Sequence, residues 1–448
     1  MMSVFSGCSK DDGGAESETS YLERNLWIKE TMEVMYFWNR QIPKVDYTKQ
    51  TDSKQYFNSL LYKDDRFSYI TDDYDGLLSD LQGASTLSMG YDYTAYYISS
   101  GSQKVMMVVN YVYPDSPADR AGLKRGHIIT AINNTELTAS NFYELYSGTS
   151  YSVQLARMED RHLSASGTSI SMTAATIDPN PVVYSTVIAT GQKKIGYLAY
   201  VSFVSGTNSK FLLELDRVFN SFKAEGITDL VIDLRYNPGG DTDAATRLAS
   251  EIVPAAHNRD VFTYYEFNDI VSDYYKNNPD MFETLFMKLS SNINATGVYF
   301  LTTGNTASAS ELVIVGLRPY MDVVQIGEPT YGKCYGMTLF EQEGGNWGLL
   351  PIIFRYTNAD GYTDFVDGLQ PDFEVEDAFC VDELLNSEFI YCYPLGDTRD
   401  PMLEKAVEHI TGIPASTKTT TKAVSKATRQ HPPLPAAATL KSNLWIVP

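Results

Sequence analysis

Two short loops place small residues where a backbone could serve chemistry. Asn237-Pro238-Gly239-Gly240 follows the apolar run Leu230-Val231-Ile232-Asp233-Leu234, and Thr306-Ala307-Ser308-Ala309-Ser310-Glu311 follows Val298-Tyr299-Phe300-Leu301. A helix beginning near Ala309 would aim unpaired N–H groups and a positive dipole end at the Ser308 hydroxyl, which suits a developing oxyanion. A serine at that position is equally an ordinary helix N-cap, so catalysis requires a base. Of the five histidines only His257 falls in the core segment, far from any serine motif, and no Gly-x-Ser-x-Gly is present. A lysine can replace histidine if burial without a paired carboxylate lowers its pKa toward neutrality. Glu328-Pro329-Thr330-Tyr331-Gly332-Lys333, after the apolar run Val323-Val324-Gln325-Ile326, supplies one. Ser310 and Glu311 are expected to stabilise the first helical turn, and Asp233 and Arg235 to fix their loop. Cys334 is expected to be a small buried filler rather than a nucleophile.

Composition narrows the setting for these residues. The chain has 448 residues, 43% of them hydrophobic, enough for about three domains with real cores. With 35 basic and 56 acidic side chains the formal charge is −21, which repels phosphate backbones and argues against a nucleic-acid partner. No apolar run approaches the roughly 18 to 20 residues that cross a bilayer. Four cysteines at 8, 334, 380 and 392 contain no Cys-x-x-Cys pair, and neither a metal nor a cofactor is implied.

The termini differ from the body. Phe5-Ser6-Gly7-Cys8, followed by a Ser/Asp/Gly/Glu stretch, resembles a bacterial lipobox with a flexible tether over residues 1–20. It implies a lipid on Cys8 and a place in the cell envelope, periplasmic or at the outer membrane. In that oxidising setting Cys380 and Cys392 are candidates to pair. Residues 413–448 are rich in Ser, Thr, Ala and Pro, with five basic residues and no acid, and read as a disordered tail.

Between the termini the periodicity changes twice. Over 21–83, Trp27, Ile28, Met32, Met35, Tyr36, Trp38 and Ile42 recur at three- and four-residue spacing, predicting an amphipathic helix that runs to Pro43 within a small helical domain. Over 84–175 short β-rich runs surround SPADRAGLKRGHIITAINNTEL, in which Pro117 opens a short helix, Gly122 caps it and Gly126 turns the chain into a strand. This segment resembles a PDZ domain. The resemblance implies that a peptide's C-terminal carboxylate is held by the loop Ser88-Met89-Gly90-Tyr91 while its last residues add as a strand. From 176 to 412 strand-like and helical runs alternate, as in an α/β layered domain with functional loops at the C-terminal strand ends.

Taken together, NPGG, TASASE and GEPTYGK, with GLQPD at 368–372, DPMLEKAVEHI at 400–410 and the PDZ-like segment upstream, resemble the C-terminal processing peptidases. The resemblance implies a crotonase-like or Clp-protease-like layered core and a serine/lysine dyad of Ser308 as nucleophile and Lys333 as base. It assigns the oxyanion donors to the N–H groups of Ala309 and of Gly239 or Gly240. Many relatives carry a glutamine four residues past the lysine; here that place is Met337, whose thioether would add desolvation while Thr338 or Gln342 supplied the missing contact. The implied activity is that of a serine endopeptidase acting on polypeptides captured by their free C-termini, with the oligomeric state left open. The rivals are a PDZ scaffold with an inactive peptidase-like core, and a serine peptidase using His257.

Overall fold

A computed structural model describes residues 18–99, 101–159, 162–377 and 392–413. Cys8, Cys380 and the 414–448 part of the tail lie outside these residues, and with them the lipidation site and any Cys380–Cys392 pairing.

The helical periodicity near the start is real but shorter than predicted. The helix spans Glu18–Met35 and stops before Tyr36, short of Pro43. Tyr36 breaks the pattern because its hydroxyl donates to Asp65 at 2.7 Å and accepts from the Tyr62 N–H, while the next N–H, of Phe37, leaves the helix to pair with the Ile352 carbonyl. Tertiary bonds thus replace the helical ladder. Ile28, Met32 and Tyr36 pack with Tyr56 and Phe57 of the helix Ser53–Leu60, and with Met337, Leu349 and Ile352 from far along the chain. Strand Tyr69–Thr71 pairs antiparallel with Gly348–Leu350, so the N-terminal helical region shares a core with the segment that follows Lys333.

Thr86–Ser88 pairs antiparallel with Ala175–Ile177, which brings the two ends of the intervening insert together. The insert is a sheet of strands Tyr91–Tyr97, Val105–Val112, Ile128–Ile132, Ser150–Glu159 and His162–Thr173, paired in that order. The short helix Pro117–Arg120 opens at Pro117 under a Ser116 cap, and Gly122 and Gly126 take φ of 84° and 85°, as their roles in the sequence require. Tyr91–Tyr97 is one of the two edge strands of this sheet, and Gly90, with φ 80°, lies at its start.

The α/β core is a six-stranded sheet ordered Val182–Thr190, Lys193–Tyr200, Asp229–Asp233, Gly297–Thr302, Val323–Gly327 and Phe373–Glu374, parallel from the second strand onward. Alternation assigns its faces. Leu230, Ile232, Val298 and Phe300 meet helices Lys210–Ala224, Thr242–Ile252 and Ala309–Leu317, whereas Val231, Tyr299 and Leu301 meet helix Pro401–Thr411. Tyr111 of the insert joins the second layer, so the insert packs on this face. Three adjacent parallel strands therefore end on one sheet edge, and their following loops are NPGG, TASASE and GEPTYGK.

Arg235, 1% exposed, ties that edge together. It donates to Asp233 at 2.6 Å, to Asp400 at 2.8 Å and to Asp377 at 3.0 Å. Burial alone would raise the Asp233 pKa, but the Arg235 charge and bonds win and hold it below the usual range. Arg235→Met would leave buried carboxylates without their cation and should destabilise the protein by roughly 3 to 5 kcal/mol, read as a lower urea midpoint at unchanged slope.

Candidate active site

Ser308 caps the helix Ala309–Leu317 in an uncommon backbone state, φ 60° and ψ −113°, which a non-glycine residue holds only when its surroundings enforce it. Its residue is 0% exposed, and its hydroxyl has no hydrogen-bond partner among the described residues. An ordinary cap would spend that oxygen on an N–H of the first turn. Here the turn is served from the other side, because Glu311 reaches back to the Ser308 N–H at 2.7 Å.

The same carboxylate holds the lysine loop. Glu311 accepts from the Lys333 N–H at 2.8 Å, the Gly332 N–H at 2.7 Å and the Thr330 hydroxyl at 2.5 Å. The Tyr356 hydroxyl lies 2.8 Å from the Lys333 carbonyl and 3.1 Å from the Ser308 carbonyl. The backbones of the two candidate catalytic residues are thus bracketed by one acid and one phenol, though their side chains are not hydrogen-bonded to each other. Burial pushes the Glu311 carboxyl up despite its four donors.

Lys333 is 0% exposed, and its Nζ lies 5.3 Å from the centroid of the Phe67 ring. Burial lowers the ammonium pKa to about 7, against the opposing pull of Glu311 and Asp65. A base that is half neutral near pH 7 is what the lysine reading requires.

NPGG meets TASASE directly. The Ala307 N–H and the Ser310 hydroxyl both donate to the Asn237 carbonyl, and a Cβ on Gly239 would fall 2.7 Å from Ser308 Cβ and 2.9 Å from the Ala309 nitrogen. Gly239, with φ 104°, is required by both space and conformation. Its N–H is committed to the Asn237 side chain at 2.9 Å, whereas the N–H groups of Gly240 and Ala309 have no protein acceptor among the described residues.

Other expectations fare differently. Met337 is buried among Ile28, Met32 and their neighbours, so its thioether serves the N-terminal core, and the group placed over the amine is Phe67. Cys334 is 1% exposed, with burial pushing its thiol up to about 11, as suits a filler. The sequence also offered Tyr236 and Tyr331, next to the two loops, as groove-lining residues; Tyr331 is exposed beside the lysine, whereas Tyr236 donates to Asp377 and accepts from Arg125 of the insert. His257 bonds Asp260 after helix Thr242–Ile252 has carried the chain back across the sheet, and the neighbouring Ala255 N–H meets Asn294, three residues before strand Gly297–Thr302 begins. It sits at the edge opposite Ser308. In the insert, Ser88 Oγ accepts from the Gly90 N–H, and the Met89 carbonyl accepts from Ala118. The sequence reading missed the bracketing role of Glu311, Tyr356 and Phe67. Only Glu311 left a signal, the Ser-x-x-Glu spacing of a capping box.

A family model described as Peptidase family S41 matches residues 194–375, with the Peptidase S41 N-terminal domain over 23–69 and a PDZ domain over 108–147. The chain belongs to peptidase family S41. A solved S41 protease structure from Bacteroides fragilis superposes with a TM-score of 0.72 at 28% identity, covering 87% of this chain and 98% of that one. The carboxyl-terminal-processing peptidase 2 of Arabidopsis thaliana chloroplasts is 27% identical over 321 residues, covering 68% of this chain and 56% of its own length. Carboxy-terminal processing protease CtpA of Bacillus subtilis is 24% identical over 342 residues, 74% and 66% of the two chains. The chain thus spans between about half and two thirds of these curated relatives. Among the described residues no helix is long and apolar enough to cross a membrane.

Replacing Glu311 by Gln would turn one oxygen into a donor facing two donors. The variant should lose roughly 2 to 3 kcal/mol of stability, visible as a lower melting temperature, because both brackets fail together.

Proposed function

We propose that this S41 family member is a serine endopeptidase in which Ser308 attacks the scissile carbonyl and neutral Lys333 acts as general base. One observation carries the reading: a buried hydroxyl without a partner, on a strained helix cap, shares its backbone anchor with a fully buried lysine whose pKa is about 7. Substrate binding would align Oγ with Nζ, as catalytic hydrogen bonds often tighten only in the complex. The amine then takes the hydroxyl proton during attack, gives it to the leaving amine, and activates water against the acyl-enzyme. The Ala309 N–H and the NPGG corner stabilise the oxyanion, with Gly240 favoured over the committed Gly239, at roughly 3 to 4 kcal/mol per donor.

The insert supplies the substrate class. Its edge strand Tyr91–Tyr97 can accept a peptide as an added strand, with the terminal carboxylate at Ser88-Met89-Gly90-Tyr91. Polypeptides with free C-termini are the proposed substrates, in the bacterial envelope if Cys8 carries a lipid. A second reading, a scaffold binding C-termini through an inactive core, is favoured by Met337 in place of the glutamine and by the absence of an Oγ–Nζ bond.

A cleavage assay on an unfolded polypeptide separates them. Ser308→Ala and Lys333→Ala should each lower kcat by roughly a thousandfold or more with peptide binding nearly unchanged, and His257→Ala should remain active. Because the neutral amine is the working form, kcat/KM should rise with pH through about 7 and then level. Absence of cleavage by the wild type would favour the scaffold.

A further inference from the structure

The residue that shelters the lysine comes from outside the α/β core. Phe67 belongs to the N-terminal region, and its ring centroid lies 5.3 Å from Lys333 Nζ, 6.0 Å from the Tyr331 ring and 6.5 Å from the Tyr335 ring. It therefore spans the lysine between its two aromatic neighbours in sequence.

This placement is built from several directions. Asp65 Oδ1 accepts from the N–H groups of Phe67 and Ser68, both at 2.9 Å, and Oδ2 is held by the Tyr36 hydroxyl at 2.7 Å. Ser68 Oγ accepts from the Ile352 N–H at 2.9 Å, and Arg66 donates to the Val366 carbonyl at 3.1 Å, next to its longer bond to Gly332 at 3.4 Å. One loop is thus pinned to the end of the first helix, to the strand pairing with Met337, and to the loop that carries the lysine.

We propose that Phe67 is a positioning residue for the proposed reaction: its ring forms the lid that keeps water from Lys333 Nζ, so the N-terminal region completes the active site. The inference rests on the serine/lysine reading for its catalytic meaning, but the lid itself is a physical property that can be measured without cleavage.

Two effects of the ring oppose each other. A ring face near an ammonium attracts it by about 0.5 to 2 kcal/mol, which favours the protonated form, while exclusion of water disfavours it. Among the described residues, the charged groups that act on the amine include Glu311 from the helix after Ser308 and Asp65 from the loop, while Arg66 lies by the Phe67 and Tyr331 rings and the Tyr356 hydroxyl from the facing strand holds the Lys333 carbonyl. Glu311 and Asp65 both pull the pKa up, yet the net position is down, so desolvation outweighs them.

The test follows the Lys333 ammonium by NMR titration of lysine-labelled full chain carrying Ser308→Ala, alone and with changes at Phe67. Phe67→Ala should raise the midpoint by at least one pH unit, which leaves roughly fivefold less neutral amine at pH 7, and should shift the acid limb of kcat/KM by the same amount in the Ser308 protein. Phe67→Leu, which keeps apolar cover, should leave the midpoint at or below that of the parent. Phe67→Gln, larger than alanine but polar, should behave like Phe67→Ala and serves if the alanine variant does not fold. An unmoved midpoint in whichever of Phe67→Ala and Phe67→Gln folds overturns the lid, even if activity falls. A moved midpoint in a chain that never cleaves substrate upholds the lid and overturns the peptidase reading instead.

Discussion

A single buried carboxylate holds the site together. Glu311 accepts four hydrogen bonds, three from backbone N–H groups and one from a hydroxyl, and these come from two loops that follow neighbouring parallel strands. Hydrogen bonds to a charged group contribute about 1.5 to 3 kcal/mol each, while removing an ion from water costs several. Four donors offset that cost only if all four are in place, so the acid forces both loops into one arrangement. The strained conformation of Ser308 is affordable because the cap that would relax it is taken over by Glu311.

The lysine shows the same competition with the opposite outcome. Its amine lies within reach of the fields of Glu311 and Asp65, and both favour the protonated form. Burial, with Phe67 over the amine, reverses the balance. The acid that fixes the lysine's backbone is directed at N–H groups rather than at the ammonium, which lets one carboxylate position the residue without fully neutralising the effect of desolvation.

Around this centre, the fold works as three attachments to one sheet edge. Arg235 fastens the NPGG loop to Asp377 and Asp400, and Arg125 of the insert reaches the same acids at 3.6 and 3.8 Å while donating to the Tyr236 hydroxyl at 2.6 Å. The N-terminal region attaches through Tyr36, Asp65 and Ser68. The insert and the helical region therefore approach the candidate catalytic loops from different sides, and each contributes buried polar contacts that a separated domain would have to leave unsatisfied.

Much of this was legible in the sequence because it is local. Short apolar runs bounded by turn residues marked the strands, glycines at 122, 126 and 239 marked the turns, and Ser-Ala-Ser-Glu after a strand marked the helix start. Residue chemistry offered Ser308 and Lys333 as candidates, the resemblance to the C-terminal processing peptidases paired them, and His257 stayed a rival. What tertiary structure decided involves partners distant in the chain. The end of the first helix was settled by Asp65 and Ile352, Met337 was drawn into the N-terminal core, Tyr236 turned to Arg125, and the cover over the lysine came from Phe67, more than 260 positions earlier in the chain. Local propensity carries no information about which distant group arrives, whereas desolvation depends on every atom that does. For that reason the sequence determined which residues could react, and only the packed chain decided the environment that sets the charge of the lysine.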